Sequence, residues 1–461
     1  MNPAIFREYD IRGVAERDFD AAFAHSLGRA YAASLAAQQV APRHGRLRIG
    51  VGRDCRLTSD AYADALRAGL LESGLDVVDL GVCPTPVVYF SLFELDLDGA
   101  LQVTGSHNPA EDNGFKICVG RSTIHGPAIQ ALRRLLEAGT APRGAGRLTA
   151  VDIVSRYIAH LTRRFGRLAR PLHVVVDAGN ATAGPVAPPI LRALGCRVDE
   201  LYCDMDGRFP HHHPDPTVEE NLRDLIARVR AVGADAGLAF DGDADRLGVV
   251  DRHGRVIWGD ELLVVFARDL LERHPGATIV SEVKCSQRLY DDITARGGRA
   301  IMWKAGHSPI KAKMRETGAL LAGEMSGHLF FAEGYHGYDD AVYAACALLD
   351  IMARTGQGVD ALLADLPTAY ATPEIRVDCP DAIKFAVVDA AQRHFRASHE
   401  VIDVDGVRVR LPHGWGLIRA SNTQPALVLR CEADSPAALA EYRASFTALV
   451  ETLRGQVAGA A

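Results

Sequence analysis

The chain has 461 residues, of which 48% are hydrophobic and 24% are charged, and its formal net charge is −7. These values are typical of a globular protein and exclude a disordered or fibrous one, and the length suggests about three domains. The negative charge argues against a nucleic-acid-binding protein, because such proteins present a basic face to phosphates. An anionic ligand would therefore need local cations.

Cysteine usage and apolar segments indicate the compartment. The nine cysteines are dispersed, and no two of them form a C-x-x-C pair, which favours a reducing cytoplasm. The stretch MNPAIFREYD is charged, unlike a signal peptide. No apolar run has the length that spans a bilayer. We therefore expect a cytoplasmic protein with no membrane partner.

Several apolar segments run into polar or glycine-bearing loops, and helix-like sequence follows each of them. The clearest are RIGVGRD (48–54), LHVVVDAGNATAG (172–184) and TIVSEVKCS (278–286). After the first segment, the spacing of Tyr62, Leu66 and Leu70 predicts a helix with one apolar stripe. Strands that alternate with helices indicate α/β layers, whose ligands gather at the carboxyl ends of the strands.

Changes in composition predict four domains. The breaks are EAGTAPRGAGRL, DRHG and LPTAYATP, and the resulting segments are 1–148, 149–252, 253–368 and 369–461. The last segment contains DGVRVRL and ALVLRCEA, which alternate like half-buried antiparallel strands. This alternation predicts an α+β module.

The stretch TGSHNP (104–109) follows the apolar run GALQV and predicts a rigid loop that displays side chains. Taken alone, it is best explained as a turn in which Ser106 and Asn108 bond to local backbone groups. A phosphorylated Ser106, however, would offer oxygens to a metal and a phosphoryl group for transfer.

The motif DGDADR (241–246) follows the apolar run AGLAF and places three carboxylates at alternate positions. If the backbone loops, three hard oxygen donors converge and can bind a divalent cation. An EF-hand is excluded, because Arg246 stands where that loop needs glycine and Arg252 where it needs a bidentate glutamate. The remaining alternative is an acidic turn, in which the carboxylates would repel one another.

Three later motifs are ambiguous when each is taken alone. RASNTQP (419–425) combines Arg419 with hydroxyl and amide groups, which suits a phosphate dianion or a plain surface turn. GEMSGH (323–328) offers Glu324 and a hydroxyl to neighbouring sugar hydroxyls, or forms a strand-to-loop corner. His307 and His328 lie in glycine-bearing loops and could bind an anion, move a proton or be purely structural.

Together the motifs resemble the α-D-phosphohexomutase family, which includes enzymes of the phosphomannomutase/phosphoglucomutase type. The resemblance runs in order along nearly the whole chain and rests on YDIRG, GRDCR, PTP, TGSHNP, NGFK, DGDADR, KAGHSPIK, GEMSGH and RASNTQP. It implies four domains around a central cleft. Three of them would be similar α/β domains with mixed sheets, and the fourth a smaller, mobile C-terminal α+β domain.

The resemblance also implies roles for individual residues. The catalytic set would be Ser106 as the phosphoserine, Lys116 and His328 in proton transfer, and Arg246 beside the phosphoserine. The magnesium ligands would be Ser106, Asp241, Asp243 and Asp245. The substrate-binding set would be Tyr9, Arg12, Lys284, His307, Glu324, Ser326, Arg419, Ser421, Asn422 and Thr423.

The implied reaction interconverts a hexose 1-phosphate and a hexose 6-phosphate of glucose or mannose. Its cofactors would be Mg²⁺ and a hexose 1,6-bisphosphate, which serves as intermediate and activator. We expect a small sugar phosphate as the partner, no nucleic acid, and a monomer or weak oligomer. Three alternatives remain: a phosphoglucosamine mutase, a magnesium-dependent phosphatase, and a sugar-phosphate binder without activity.

Overall fold

The computed structural model describes residues 2–421 and 425–460, and they form two compact units. The first unit is Met1–Phe266 with Ser326–Leu362, and the second is Ala267–Met325 with Leu363–Ala461. In the described part of the chain, no helix is both long enough and apolar enough to cross a membrane.

The strands are numbered in chain order. They are β1 Ile11–Val14, β2 Arg48–Arg53, β3 Asp76–Val82, β4 Gly99–Val103, β5 Asp112–Val119, β6 Ser122–Thr123, β7 Leu148–Ala150, β8 His173–Asp177, β9 Arg197–Leu201, β10 Ala236–Phe240, β11 Leu247–Asp251, β12 Val256–Ile257, β13 Thr278–Glu282, β14 Arg299–Trp303, β15 Leu321–Gly323, β16 Leu329–Phe331, β17 Tyr370–Ala371, β18 Ile375–Asp378, β19 Val401–Ile402, β20 Val407–Leu411, β21 Gly414–Ala420 and β22 Ala426–Ala433.

The α-helices follow the same convention. They are α1 Ala21–Ala37, α2 Ser59–Glu72, α3 Thr85–Glu94, α4 Pro127–Ala138, α5 Ile153–Phe165, α6 Ala187–Ala193, α7 Arg223–Val232, α8 Gly259–Arg273, α9 Gln287–Ala295, α10 His307–Thr317, α11 Ala341–Thr355, α12 Val359–Leu362, α13 Lys384–Arg396 and α14 Pro436–Ala460. Two short 3₁₀ helices, Pro3–Ile5 and Glu219–Leu222, complete the set.

The first sheet of the first unit has the order β1-β5-β4-β2-β3-β7, and β6 pairs with β5. Strands β2, β3, β4 and β7 pair in parallel, whereas β5 runs antiparallel to β1 and β4. The predicted helix is α2, and its stripe of Tyr62, Leu66 and Leu70 is fully buried. Strand β7 lies across the predicted boundary at residue 148, and the three predicted boundaries stay predictions.

The second sheet has the order β12-β11-β10-β8-β9. Strands β8, β9 and β10 are parallel, and β10 turns back into the antiparallel β11. The β10 to β11 connection is the segment 241–246. Both sheets are therefore mixed, as predicted, and each displays one candidate motif where a buried strand ends.

In the second unit, β13 pairs in parallel with both β14 and β15. The C-terminal sheet of the same unit is antiparallel, with the order β17-β22-β21-β20-β19 and with β18 on β22. Helices α13 and α14 pack on one of its faces through a continuous apolar cluster. The α+β module predicted from alternating residues is therefore present.

One expectation about this module is wrong. The segment ALVLRCEA reads as a half-buried strand, yet every residue of β22 is buried. Its apolar face packs on the helices, and its other face, with Arg430 and Glu432, is also covered. The alternation of residues indicates two chemically different faces, and it does not indicate which of them the fold covers.

Candidate active site

The loop that carries Ser106 leaves the end of β4 in a tightly specified conformation. Ser106 is buried and has φ of 48°, in the left-handed region that non-glycine residues avoid. Such a conformation costs about 1–3 kcal/mol and persists where the surroundings impose it. Its amide donates to Thr104 Oγ1 at 2.8 Å, and Thr104 donates in turn to Asp54 Oδ2 at 2.8 Å.

Arg56 holds the same loop from the other side. Its Nη2 donates to the carbonyls of Ser106 at 2.8 Å and Asn108 at 2.6 Å. Its Nη1 donates to the carbonyl of Asp112 at 2.9 Å and to that of Pro109, and its Nε contacts Asp54 Oδ2 at 3.2 Å. All five N–H groups of this buried guanidinium are used, so Arg56 fixes where the Ser106 hydroxyl points.

The acidic motif forms the tight connection between β10 and β11. Asp241 Oδ1 accepts the amides of Asp245 at 3.0 Å and Arg246 at 3.2 Å, which closes the loop on itself. Thr182 Oγ1 donates to the carbonyl of Gly242 at 3.0 Å from a neighbouring segment. The predicted looping of the backbone is therefore observed, and it brings the carboxylates together.

Asp241, Asp243 and Asp245 are fully buried, and each offers an oxygen within 4.8 Å of the other two. Asp243 Oδ1 and Asp245 Oδ1 are buried with no hydrogen-bond partner. Burial and the two neighbouring carboxylates raise the pKa of Asp241 well above its usual value. A divalent cation would coordinate these buried oxygens and offset their mutual repulsion. The three residues therefore fit a hard metal ion.

The serine and the acidic loop meet at one point. Ser106 Oγ donates to Asp241 Oδ2 at 2.9 Å, although the two residues are 135 positions apart in sequence. The pairing of a nucleophilic hydroxyl with a candidate metal cluster is the central geometric result for this site.

Lys116, predicted to transfer protons, lies inside the same cluster. Its Nζ is 2.6 Å from Asp243 Oδ2 and also contacts Asp245 Oδ2. Burial alone would lower the pKa of Lys116, but the two carboxylates outweigh it and raise the pKa. Burial would likewise raise the pKa of Asp243, yet Lys116 and Thr85 lower it overall. In this arrangement Lys116 is a charged ammonium that balances the acidic loop.

Arg246 and His328 also lie together. Arg246 Nε donates to His328 Nε2 at 2.9 Å. Because a guanidinium cannot accept a hydrogen bond, His328 carries its proton on Nδ1, which lies 3.0 Å from Asp339 Oδ2 and 3.5 Å from Asp245 Oδ1. The buried carboxylate of Asp339 lies beside this nitrogen, so its charge favours the proton on Nδ1 and leaves Nε2 free to accept from Arg246.

The other predicted residues of the first unit lie in three places. Arg12 reaches the serine loop, with Nη1 2.9 Å from Asn108 Oδ1 and Nε 2.8 Å from Asp10 Oδ2. Tyr9 and Ser326 are half-buried. The backbone next to Ser326 is fixed, because the amide of Leu247 donates to the carbonyl of Gly327 at 3.0 Å.

In the second unit, Lys284 and Glu324 are held by neighbouring charges and amides. Lys284 Nζ is 2.7 Å from Glu374 Oε1 and 3.7 Å from Glu282 Oε1. Burial would lower the pKa of Lys284, but these carboxylates raise it, and Lys284 in turn lowers the pKa of Glu374 to about 2. Glu324 Oε1 accepts the amide of Gly306 at 2.6 Å.

The predicted phosphate-binding residues begin at the end of β21. Arg419 is buried and donates from Nε to Asp405 Oδ2 at 3.0 Å, and Asp405 also accepts the amide of Ala305 at 3.1 Å. Ser421 is buried, and its carbonyl accepts from Lys384 Nζ at 2.6 Å. Asn422 and Thr423 lie outside the described residues. His307 is buried at the start of α10.

Sequence reasoning missed four residues of the first unit. They are Arg56, Thr85, His107 and Asp339. His107 Nδ1 lies 3.1 Å from Ser106 Oγ, and burial lowers the pKa of His107 well below its usual range. Arg56 and Thr85 stand in the motifs GRDCR and PTP, so a signal for them was present.

Fold and site together define a class: a multidomain α/β protein in which a serine hydroxyl meets a buried acidic cluster fit for a metal ion. Family models for the phosphoglucomutase/phosphomannomutase α/β/α domains I, II and III match residues 3–142, 155–254 and 258–370. The model of the C-terminal domain matches residues 374–449.

Relatives match at full length. A phosphomannomutase/phosphoglucomutase of Pseudomonas putida is 47% identical over 96% of this chain and 94% of its own. A phosphoglucomutase of Neisseria gonorrhoeae is 42% identical over 97% of both chains. The crystal structure of a phosphoglucomutase/phosphomannomutase family protein from Burkholderia thailandensis superposes with a TM-score of 0.91, at 43% identity and 98% coverage of each chain.

The chain therefore belongs to the α-D-phosphohexomutase family, as its motifs predicted. The four-domain α/β architecture is confirmed with it. Membership identifies the protein as an isomerase of the phosphotransferase type. It favours this activity over the phosphatase and the inactive binder.

Proposed function

We propose that this enzyme interconverts the 1-phosphate and 6-phosphate of glucose and of mannose, through a phosphoserine at Ser106 and a bound hexose 1,6-bisphosphate. The observation that carries the proposal is the 2.9 Å contact of Ser106 Oγ with Asp241, inside a buried cluster of three carboxylates. A phosphoryl group on this oxygen would lie where charge neutralisation, the main requirement of phosphoryl transfer, is strongest.

Asp241, Asp243, Asp245 and the oxygens on Ser106 would hold Mg²⁺. The chemistry that the ion supplies when bound is charge neutralisation on the phosphoryl oxygens. The all-oxygen ligand set suits a hard cation such as Mg²⁺ better than a soft transition-metal ion.

In the forward direction, the bond between phosphorus and Ser106 Oγ breaks as the free sugar hydroxyl bonds to phosphorus. The proton of that hydroxyl goes to a nearby base, for which His328 and Lys116 are the candidates. Lys116 could accept the proton only after its ammonium, held charged by Asp243 and Asp245, has first released one. The resulting bisphosphate reorients, and its other phosphoryl group returns to Ser106 with the opposite movement of bonds and proton. Arg246, oriented by His328, would stabilise the charge on the transferring group.

The remaining predicted residues would hold the part of the substrate that does not react. Glu324, with Ser326 of the neighbouring segment, would bind the 3- and 4-hydroxyls of the sugar. Arg419, Ser421, Asn422 and Thr423 would bind the second phosphate, and Lys284, His307, Tyr9 and Arg12 would complete the substrate contacts. Two cations support this assignment, because the half-buried Lys284 and the buried Arg419 are paired with acidic groups that a phosphate could replace.

The preference for glucose and mannose rests on two observations. The relatives from Pseudomonas putida and Neisseria gonorrhoeae are named for these sugars. Met325 stands in GEMSGH, where the amino-sugar enzymes of the family usually carry glutamine. Because the sugars differ at carbon 2, which this loop would not grip, a phosphoglucosamine mutase is the alternative to test.

The proposal extends to partners and compartment. Besides Mg²⁺ and the bisphosphate, the proposal requires a small sugar phosphate as its ligand, and we propose a monomer or weak oligomer without nucleic-acid or membrane partners. The nine free cysteines support a cytoplasmic location, since they suit a reducing compartment.

The test is an isomerisation assay with glucose 1-phosphate, mannose 1-phosphate and glucosamine 1-phosphate, each started with the matching bisphosphate. We expect turnover of the first two, a phosphoryl adduct on Ser106 by intact mass, and loss of both in Ser106→Ala. Release of inorganic phosphate at the rate of substrate loss would instead identify a phosphatase. Activity limited to glucosamine 1-phosphate would overturn the substrate assignment.

A further inference from the structure

The polar face of the C-terminal sheet is buried against the segment that carries Lys284. Arg408 of β20 and Trp415 of β21 project from this face, and both are buried. Trp415 joins Val283 and Leu417 in a small apolar cluster. Both sides of this contact belong to the second unit.

Arg408 makes the specific bonds of this contact. Its Nη1 donates to the carbonyl of Val283 at 2.6 Å and to that of Cys285 at 2.8 Å. Its Nη2 donates to Gln287 Oε1 at 3.1 Å, and its guanidinium lies 3.7 Å from the centre of the Trp415 ring. The two carbonyls belong to the residues on either side of Lys284, so one charged group fixes both flanking residues.

A second polar bond strengthens the same docking. Glu432 Oε1 accepts from Trp415 Nε1 at 2.9 Å and from the amide of Gln287 at 3.1 Å. Glu374, also of the C-terminal module, contacts the Lys284 ammonium at 2.7 Å. The module therefore bonds to the backbone around Lys284 and to its side chain.

Burying an arginine costs desolvation free energy, and an apolar side chain of similar size often packs at least as stably. A buried guanidinium provides hydrogen bonds of fixed direction, because its planar donors specify the positions of their acceptors. Here those acceptors are the carbonyls beside a residue assigned to substrate binding. This assignment rests on the proposed function.

We propose that Arg408 is a positioning residue for Lys284: by bonding to the carbonyls of Val283 and Cys285, it aims the Lys284 ammonium at the substrate. Loss of Arg408 would leave Lys284 in place but loosely oriented. Substrate binding should then weaken in the same way as when Lys284 itself is shortened.

The test compares Arg408→Met with Arg410→Met, each alone and combined with Lys284→Ala. Arg410 is on the same strand, but its side chain is exposed, so its loss controls for charge. For Arg408→Met we expect KM for glucose 1-phosphate to rise about tenfold, because an interaction that acts through substrate binding changes KM first. In the Lys284→Ala background the same change should alter KM less than about twofold.

Amide hydrogen exchange gives a readout independent of activity. Arg408→Met should speed exchange at amides 283–287 about tenfold or more, and Arg410→Met should not. Should Arg408→Met fail to fold, Arg408→Lys keeps the cation but cannot reach both carbonyls and Gln287, and the same acceleration is expected.

An equal rise of KM with and without Lys284, or unchanged exchange at 283–287, would overturn the inference. If the parent enzyme does not isomerise sugar phosphates, the proposed function fails, and the exchange comparison still decides whether Arg408 holds the Lys284 segment.

Discussion

Replacing Arg56 should test whether the conformation of the serine loop is needed for turnover. Arg56 bonds to four carbonyls of residues 106–112 and to Asp54. Arg56→Met removes every donor, and Arg56→Lys keeps the charge and the stem. Arg17→Met, at a side chain that is 70% exposed, is the matched control.

The size of the effect follows from burial. Removing one partner of a buried ion pair costs about 3–5 kcal/mol, and Arg56 and Asp54 are both buried. The left-handed backbone of Ser106 stores about 1–3 kcal/mol, which the loop would release by relaxing once the clamp is gone. A shift of about 1 Å in a reacting group lowers the rate about a hundredfold. We therefore expect Arg56→Lys to fold with lower stability and to lose about a hundredfold in kcat.

The measurements are kcat, the fraction of phosphorylated Ser106 by intact mass, and the denaturant midpoint. Arg17→Met should match the parent in all three, since an exposed ion pair contributes little to stability. A kcat of Arg56→Lys within about threefold of the parent value would show that the five bonds do not determine the position of Ser106.

Three further predictions concern the buried carboxylates. Chelation should abolish isomerisation, and added Mg²⁺ should restore it. Asp243→Asn should raise the Mg²⁺ concentration needed for half of the maximal activity about tenfold. Unchanged activity in excess chelator would exclude a role for the metal. Asp339→Ala should lower kcat about tenfold at similar KM by freeing the tautomer of His328, and an effect on KM alone would contradict this. Burial raises the pKa of Asp340 from 3.8 to about 6, although Tyr157 donates to it at 2.7 Å, so the folded state holds this proton more tightly than the unfolded chain. The ionised Asp340 carboxylate destabilises the folded state fully above pH 6, and this destabilisation disappears as the pH falls to about 4. Over that range the free energy of unfolding of the parent should rise by about 3 kcal/mol at most, and that of Asp340→Asn should not, as unfolding midpoints would show.

The chemistry of the first unit could be predicted because each motif is local. DGDADR contains its three carboxylates within six positions, and a turn is enough to bring them together. The residues alone suggested that a phosphorylated Ser106 could offer oxygens to the metal, but only the family resemblance assigned it as a metal ligand, since 135 residues separate Ser106 from Asp241. Periodicity predicted α2 and its buried stripe, and it gave no information on which strands pair.

The missed residues show what local patterns lack. Asp339 follows a tyrosine and precedes Asp340, and no spacing distinguishes the carboxylate that lies beside His328 from the one that caps α11. Both are buried and acidic, and tertiary contacts alone separate their roles. Lys116 was assigned to proton transfer from its motif, but its charge state depends on two carboxylates from another sheet.

The C-terminal sheet also shows that a local sequence pattern does not specify tertiary contacts. Alternation in β20, β21 and β22 correctly separates an apolar face from a face with Arg408, Trp415, Arg430 and Glu432. A sequence pattern specifies the chemistry of each face but not what covers it, and polar alternation is ordinarily taken to mean water. Here the covering group is a backbone segment whose carbonyls need donors, so cationic and aromatic side chains suit it better than aliphatic ones. A buried polar face in such a module therefore indicates a docking surface, and the segment it bonds to is where function should be sought.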